Sequence, residues 1–206
     1  MTIPRRTLLA FAVASVLSTA ARANREDIHR PLEQLYAALQ DAMRKGQAVP
    51  FPERFAALAP VIDKVYDLET VLRVSVGLRW ASITGDSRTK LKDAFRKFTV
   101  ASFVANFDKF DGEKFEVLPG TRIVGADEVV RTRIFAGNGE PIRLDYVMQP
   151  SNTGWRIVDV LMDGSISRVA VQRSDFRALL TSGNAEALTE NLLKKTAALS
   201  GGTIGP

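Results

Sequence analysis

The sequence predicts an α+β domain in which helices cover a curved antiparallel sheet and leave an apolar cavity between the two layers. Apolar residues recur at helical spacing in the first half of the chain and with a period of two in the second half. Two more helical segments close the chain, and no long linker interrupts it. Helices that precede a meander of strands are typical of the α+β class.

The first predicted helix runs over "EDIHRPLEQLYAALQDAMRKG" and ends at Gly46. Its apolar residues fall on one face because they are spaced three or four apart: Leu32, Leu35, Leu39 and Met43. Shorter helices are expected to follow, with interruptions near Pro60 and Asp67.

A longer helix is expected next, capped by Asp86 or Ser87 and reaching about Phe110. Its phenylalanines are Phe95, Phe98, Phe103, Phe107 and Phe110. They spread over roughly half of the helix circumference, which is wider than a one-sided stripe. This helix should therefore have apolar neighbours on more than one side.

The strands are predicted from alternation. The apolar faces consist of Phe115 and Val117, then Val130, Thr132 and Ile134, then Ile142, Leu144, Tyr146 and Met148. Turns are expected at Pro119-Gly120, Gly125-Ala126-Asp127 and Gly137-Asn138-Gly139. In the last strand, alternation directs Trp155, Ile157, Asp159 and Leu161 inward if Arg156 points to solvent.

The N-terminus has the pattern of a secretory signal peptide over residues 1–23. Arg5 and Arg6 precede an apolar run, and Ala21-Arg22-Ala23 provides the small residues of a cleavage site. The run is too short for a membrane anchor, which needs about 20 apolar residues. Residues 24–206 are expected to form a single ligand-binding domain, exported by the general or the twin-arginine route.

Removal of this segment takes away three arginines and leaves 25 basic against 23 acidic residues, a net charge of +2. Nucleic acid is therefore not an expected partner. The sequence contains no cysteine, which excludes disulfides, thiolate metal sites and a thiol nucleophile.

Motifs for catalysis are sparse. The single histidine, His29, has no neighbouring ligand set, and no P-loop, dinucleotide fingerprint or metal-spaced cluster is present. Ser87 to Lys90 match S-x-x-K but lack the companion motifs of that class of enzyme. We therefore predict no catalytic residue, no metal and no cofactor.

Asp159 is the residue that leaves an alternative open. An inward carboxylate in an apolar cavity is the arrangement of the base in ketosteroid isomerase, and Tyr146 is the obvious hydrogen-bond donor beside it. The other interpretation is a structural carboxylate bonded to neighbouring polar groups. A third possibility is an interaction module with a filled core.

A basic cluster lies in and before the long helix. Arg79, Arg88, Lys90, Lys92, Arg96 and Lys97 face Asp86 and Asp93, which gives a local charge of +4. We predict that Arg79, Arg88, Lys90 and Lys92 bind a lipid headgroup or dock on a membrane. A solvated helix face is the alternative.

Two stretches together resemble a known family. "YDLETVLRVSVGLRWASITGDSRTKLKDAFRKF" is similar to the F-D…G-x-x-W…F-x-x-x-F pattern of periplasmic Mla-type carriers, the toluene-tolerance family, and residues 141–192 resemble their sheet and last helices. The matching positions are Tyr66-Asp67, Gly77, Trp80, Phe95, Trp155, Asp159, Gly164, Ser167, Phe176 and Gly183.

The resemblance implies an NTF2-like sheet and a periplasmic carrier whose cavity holds the acyl tails of a phospholipid. It also implies exchange with an inner-membrane ABC transporter and an outer-membrane partner such as a lipoprotein. One branch of the family accompanies hopanoid biosynthesis and an RND-type exporter, and "VGADEVVRTRI" resembles that branch.

A carrier needs an apolar cavity because a two-tailed lipid exposes about 30 methylenes, each costing about 0.8 kcal/mol in water. We predict that the cavity wall comes from the long helix, the preceding helix and the sheet. The candidate residues are Leu72, Val76, Phe98, Phe103, Phe107, Leu144, Tyr146, Trp155 and Ile157. The alternative is that these residues simply pack as core.

Overall fold

The structure, a computed structural model, describes residues 28–136, 139–180 and 184–205. The predicted signal peptide, the turn residues Gly137-Asn138 and the family position Gly183 lie outside these ranges. Within the described ranges, no helix combines the length and apolarity that crossing a membrane requires.

The helices are α1 (Arg30–Lys45), α2 (Phe51–Val65), α3 (Leu68–Val76), α4 (Gly85–Asn106), α5 (Arg168–Arg177) and α6 (Glu186–Leu199). Short 3₁₀ segments follow α1 at Gly46–Ala48 and α3 at Gly77–Ser82.

The strands are β1 (Lys114–Val124), β2 (Asp127–Phe135), β3 (Ile142–Ser151), β4 (Gly154–Met162) and the short β5 (Ile166–Ser167). They pair in the order β1-β2-β3-β4-β5, and each neighbouring pair is antiparallel. The predicted α+β fold class, with helices over an open curved sheet, is confirmed.

Helix α2 passes through Pro60 without a break, so the interruption predicted there is wrong. Leu58 and Ile62 flank the proline and are almost completely buried, and their packing holds the helix despite the missing backbone bond. The break at Asp67 is confirmed. The Asp67 carboxylate accepts a hydrogen bond of 2.9 Å from the Thr70 amide and caps α3.

Helix α4 begins one or two residues before the predicted caps. Thr84 occupies the cap position in an extended conformation without a side-chain bond, and Asp86 lies in the first turn, where its charge favours the helix dipole. The helix ends at Asn106, one turn before the predicted end at Phe110.

Two hydrophobic cores flank α4. The first joins α1, α2 and the sheet to the C-terminal half of α4, with Val100 and Val104 fully buried. The second joins α3, α5 and α6 to its N-terminal half, with Leu91 and Phe95 at the centre. The prediction that this helix has apolar neighbours on more than one side is confirmed.

A bulge in β4 changes which side chains face the helices. Val147 pairs with Asp159 but Met148 pairs with Ile157, so Val158 is an extra residue. Beyond the bulge, Val160 and Met162 share the inner face with Tyr146 and Leu144, their partners on β3. Leu161 pairs with Asp145 on the other face, so the prediction that Leu161 points inward is wrong.

Residues at the junction of α2 and α3 fasten the helical layer to β4. Tyr66 forms a parallel bridge with Ile157, and the Asp67 amide donates to the Ile157 carbonyl over 2.9 Å. The Arg156 guanidinium donates from Nη2 to the carbonyls of Asp63 and Tyr66. These bonds fix the start of α3 against the middle of the sheet.

Candidate functional site: an apolar cleft

An apolar cleft of about 200 Å³ lies between the helices α3, α4 and α5 and the strands β3 and β4. Most of its wall is aromatic or aliphatic. The lining residues are Tyr66, Leu68, Val71, Phe95, Phe98, Thr99, Ser102, Phe103, Asn106, Phe107, Leu144, Tyr146, Asp159, Val160, Met162, Arg168, Val169 and Gln172.

Five of the nine residues predicted for the cavity wall line this cleft: Phe98, Phe103, Phe107, Leu144 and Tyr146. The other four lie in the cores beside it. Leu72 and Val76 are buried in the second core, Ile157 is buried in the first, and Trp155 packs against that first core. Contact with a ligand remains a prediction for all nine.

Sequence patterns missed part of the wall. Simple alternation places Val160 and Met162 on the face opposite to Leu161 and does not predict the bulge at Val158 that brings them to the cleft. Val169 and Gln172 come from α5, whose apolar residues do not form a clear stripe. The spacing of the phenylalanines in α4 is the sequence pattern that does predict part of the wall.

Aromatic rings make one side of the cleft continuous. The rings of Phe103 and Phe107 stack with centroids 6.1 Å apart and an interplanar angle of 19°. Tyr66 continues the row 5.8 Å from Phe103, and Phe115 lies 6.1 Å from Phe107. These distances are typical of favourable ring pairs, so the wall is preorganised.

The hydroxyl groups on α4 do not make this wall polar. Ser102 donates to the carbonyl of Phe98 over 2.7 Å, and Thr99 donates to that of Phe95 over 2.8 Å. Bonds of this kind satisfy the hydroxyl within its own helix. The methylene group of Ser102 and the methyl group of Thr99 can therefore contact an apolar ligand.

A buried group of hydroxyls supports the sheet side of the cleft. The Tyr36 hydroxyl lies 2.5 Å from that of Thr132 and 3.2 Å from that of Tyr146, and Thr132 donates to the Leu144 carbonyl. Burial raises the pKa of Tyr36 and of Tyr146. Both side chains therefore stay neutral and serve as hydrogen-bonding groups over the physiological range.

Buried tyrosines predict a loss of stability in alkali. The chain has three tyrosines, and burial raises the pKa of Tyr36, Tyr66 and Tyr146 above the usual value of about 10. Above pH 10 the unfolded chain releases these protons while the folded chain retains them. The free energy of unfolding should therefore fall as the pH rises above 10, by at most about 1.4 kcal/mol per pH unit for each tyrosine.

Urea unfolding between about pH 9 and pH 11 measures this slope. Tyr36→Phe should reduce it by up to about a third, because one of the three titrating groups is removed. Tyrosinate absorbance that rises with an ordinary pKa in the folded protein would contradict the prediction.

Asp159 lies where β4, β5 and α5 meet. Its carboxylate accepts hydrogen bonds from the amides of Val160 and Val169 and from the Ser167 hydroxyl, at 2.7, 3.0 and 2.5 Å. Ser167 in turn accepts from the Ala170 amide and caps α5. Asp159 thus holds the first turn of α5 against the sheet, where Val169 borders the cleft.

A second, charged cleft of about 380 Å³ adjoins the first, and Tyr66 and Leu68 border both. Its charged residues are Asp63, Asp67, Glu69, Lys92, Asp93, Arg96 and Arg156. Arg96 binds Asp63 through two hydrogen bonds of 2.7 and 2.6 Å, which raise the pKa of Arg96. Lys92 pairs with Glu69 at 2.7 Å.

The four cations predicted to meet a headgroup or a membrane occupy different surroundings. Lys92 borders the charged cleft, and Lys90 is exposed on α4. Arg79 donates to the carbonyls of Arg177 and Leu180. Arg88 donates to those of Trp80 and Ile83, with its guanidinium 5.0 Å above the Trp80 ring. Their binding roles remain predictions.

In the described part of the chain, no three histidine, aspartate or glutamate side chains lie close enough together to hold a metal ion. His29 lies half-buried at the start of α1, away from the cleft.

The fold and the cleft define an α+β domain of the kind that encloses an apolar ligand between a sheet and its helices. The profile of the MlaC protein family matches residues 33–194, which is most of the chain. The chain therefore belongs to the MlaC family, and the resemblance to Mla-type carriers is confirmed.

A solved structure shares the fold. It is the phospholipid-binding protein from Ralstonia solanacearum in complex with a phospholipid, with a TM-score of 0.70 and 19% sequence identity. The match covers 86% of this chain and 98% of that one. No curated protein matches the sequence.

Proposed function

We propose that this protein is a periplasmic carrier that holds the acyl tails of a phospholipid in the apolar cleft and performs no covalent chemistry. The observation that carries the proposal is the aromatic wall of α4 facing Leu144 and Tyr146, within a MlaC-family fold. The phospholipid in the related Ralstonia solanacearum structure supports the choice of ligand.

Loading requires the cleft to widen. A volume of about 200 Å³ is much too small for two acyl tails, since a cavity of about 150 Å³ holds a molecule the size of benzene. A phospholipid carries about 30 methylene groups. We therefore expect α5 and α4 to separate, since both helices line the cleft and Phe98, Phe103 and Gln172 are partly exposed there.

The headgroup is assigned to the charged cleft because that cleft adjoins the apolar one at Tyr66 and Leu68. Lys92 and Glu69 are 42% and 57% exposed, and pairs of this kind contribute little to stability. The two side chains can therefore leave each other and bind a ligand, the lysine pairing with the phosphate of the headgroup and the glutamate with its amine. Four acidic and three basic residues border this cleft, which favours a zwitterionic headgroup over an anionic one.

A ketosteroid-isomerase type of reaction, with Asp159 as base, is the second candidate. Asp159 does border the cleft, but its carboxylate already accepts three hydrogen bonds, two from the start of α5 and one from the Val160 amide of β4. The Tyr146 hydroxyl is in hydrogen-bonding distance of Tyr36. Both groups are thus engaged in supporting the fold, and the carrier function is favoured.

The transport route is proposed on the resemblance and the N-terminal sequence. Residues 1–23 export the chain, and residues 24–206 act as one lipid-binding domain. The carrier exchanges its lipid with an inner-membrane transporter of the ABC or RND type and with an outer-membrane lipoprotein. A hopanoid is the alternative cargo.

Solvent extraction of the purified, folded protein followed by mass spectrometry tests the proposal. We expect about one phospholipid per protein, enriched in zwitterionic headgroups relative to the membranes of the producing cells. A hopanoid in the same stoichiometry would keep the carrier function and change its cargo. A lipid-free protein that also fails to take up lipid from vesicles would contradict the proposal.

A further inference from the structure

A leucine protrudes from the 3₁₀ turn between α3 and α4. Leu78 is 100% exposed, and Val74, four residues earlier, is 37% exposed. A leucine in this position contributes no burial to the fold, because its whole side chain remains in water. It is available for contact with something outside the chain.

The turn that carries Leu78 is held firmly on both sides. Gly77 before it has a φ of +69°, which L residues with a side chain rarely adopt. Arg79 after it donates from Nη1 to the carbonyl of Arg177 over 2.8 Å and to that of Leu180. Leu78 is therefore presented by a fixed turn rather than by a loose loop.

Exposed arginines lie in this turn and on the two helices beside it. Arg173 of α5 donates to the Val74 carbonyl over 3.0 and 2.7 Å, which places α5 beside the end of α3. We define the arginine surface as residues 73–82 together with residues 168–177. It contains five arginines and one aspartate. All five arginines are exposed: Arg73, Arg79, Arg168, Arg173 and Arg177. The net charge of +4 on this surface exceeds the +2 predicted for residues 24–206.

We propose that the arginine surface docks on an anionic lipid bilayer, with Leu78 inserted at the level of the headgroups. The arginines complement the phosphate groups, and one aliphatic side chain in the acyl boundary adds hydrophobic contact. Trp80, which is partly exposed in the same turn, has the amphipathic ring that favours membrane interfaces.

A bilayer suits this surface better than a protein partner does. A stable protein interface buries about 800 Å² on each partner around an apolar centre. Here a single leucine projects among arginines, with the adjoining apolar residues less than half exposed. A fluid bilayer accepts such a wedge without a complementary pocket.

Docking on this surface would bring the cleft close to the membrane. Helix α3 contributes Val71 to the cleft wall and Val74 to the arginine surface. Helix α5 contributes Gln172 to the cleft wall and Arg173 to the arginine surface. The Ser75 hydroxyl bonds to Gln172 over 3.1 Å and joins the two helices there. The inference extends the proposed function but does not depend on it, because the surface would bind vesicles with or without cargo.

Co-sedimentation with vesicles tests the inference. We expect the protein to bind phosphatidylcholine vesicles that contain about one third phosphatidylglycerol, and to bind pure phosphatidylcholine weakly. Leu78→Ala should weaken binding about tenfold and Arg73→Gln about fivefold. Salt of about 1 M should abolish most binding, because it screens the surface charges.

Ile123→Ala and Arg131→Gln are matched controls, since Ile123 is 68% exposed at the end of β1 and Arg131 is exposed on β2. Both should bind like the unmodified protein. Equal losses for Leu78→Ala and Ile123→Ala, or no binding to these protein-free anionic vesicles, would overturn the inference. Lipid extraction of Leu78→Ala should still yield bound phospholipid. This result distinguishes a loss of membrane docking from a loss of lipid binding in the cleft.

Discussion

Replacing Ser102 with tryptophan should weaken the affinity for phospholipid about fiftyfold while the protein stays folded. Ser102 lies on the α4 wall of the cleft, between the rings of Phe98 and Phe103 in sequence. An indole there would exclude at least about three methylenes of the tail from a cleft of about 200 Å³. At about 0.8 kcal/mol each this is about 2.4 kcal/mol, or about fiftyfold in affinity.

The matched control is Ser102→Ala, which also removes the hydroxyl bond to Phe98 but adds no volume. This variant should bind lipid like the unmodified protein, because the hydroxyl is satisfied within its own helix. The affinity is measured by titration with a fluorescent phospholipid, and folding by circular dichroism. A folded Ser102→Trp protein with unchanged affinity would show that the tails lie elsewhere.

Asp159→Ala should lower the free energy of unfolding by about 3 kcal/mol. The substitution removes the acceptor for the Val169 amide and the Ser167 hydroxyl at the start of α5. The Val160 amide loses the same acceptor, and each of the three half-buried donors left unsatisfied costs about 1 kcal/mol or more. Urea unfolding measures the difference, and Asp159→Asn should lie between the two proteins.

Asp175→Ala provides the comparison on the same helix, because Asp175 is exposed and should change stability by less than about 0.5 kcal/mol. A catalytic base would give the opposite pattern, since Asp159→Asn would keep full stability while abolishing a reaction. Unchanged stability in Asp159→Ala would therefore contradict the structural role and revive the isomerase alternative.

The sequence predicted the layers of this protein better than the details of its cleft. Alternation in β2 and β3 placed Val130, Thr132 and Tyr146 on the inner face, because each strand keeps its period of two. The wide spread of phenylalanines on α4 predicted a helix between two cores, since rings on several sides must all be buried.

What could not be predicted depends on contacts between distant residues. The bulge at Val158 reverses the facing of β4 and brings Val160 and Met162 to the cleft in place of Leu161. Alternation within one strand contains no information on where its partner slips. Pro60 likewise remains helical because of tertiary packing, which local propensity does not describe.

The positions that carry the family resemblance mostly build the frame of the fold. Asp67 caps α3, and Ser167 caps α5. A Cβ atom at Gly164 would lie 2.5 Å from the guanidinium carbon of Arg143, whose side chain pairs with the buried Asp145. The resemblance thus identified the family and its scaffold, whereas most of the cleft wall consists of other residues.

The most direct test of the apolar cleft as the tail site is cross-linking with a phospholipid that carries a photoreactive group midway along one acyl chain. Peptide mapping should place the cross-links in residues 98–107, at the end of α4, and in residues 144–162 of β3 and β4. The same protein with Ser102→Trp should lose them. Cross-links confined to the outer face of the sheet, at Arg131 or Arg133, would contradict the account.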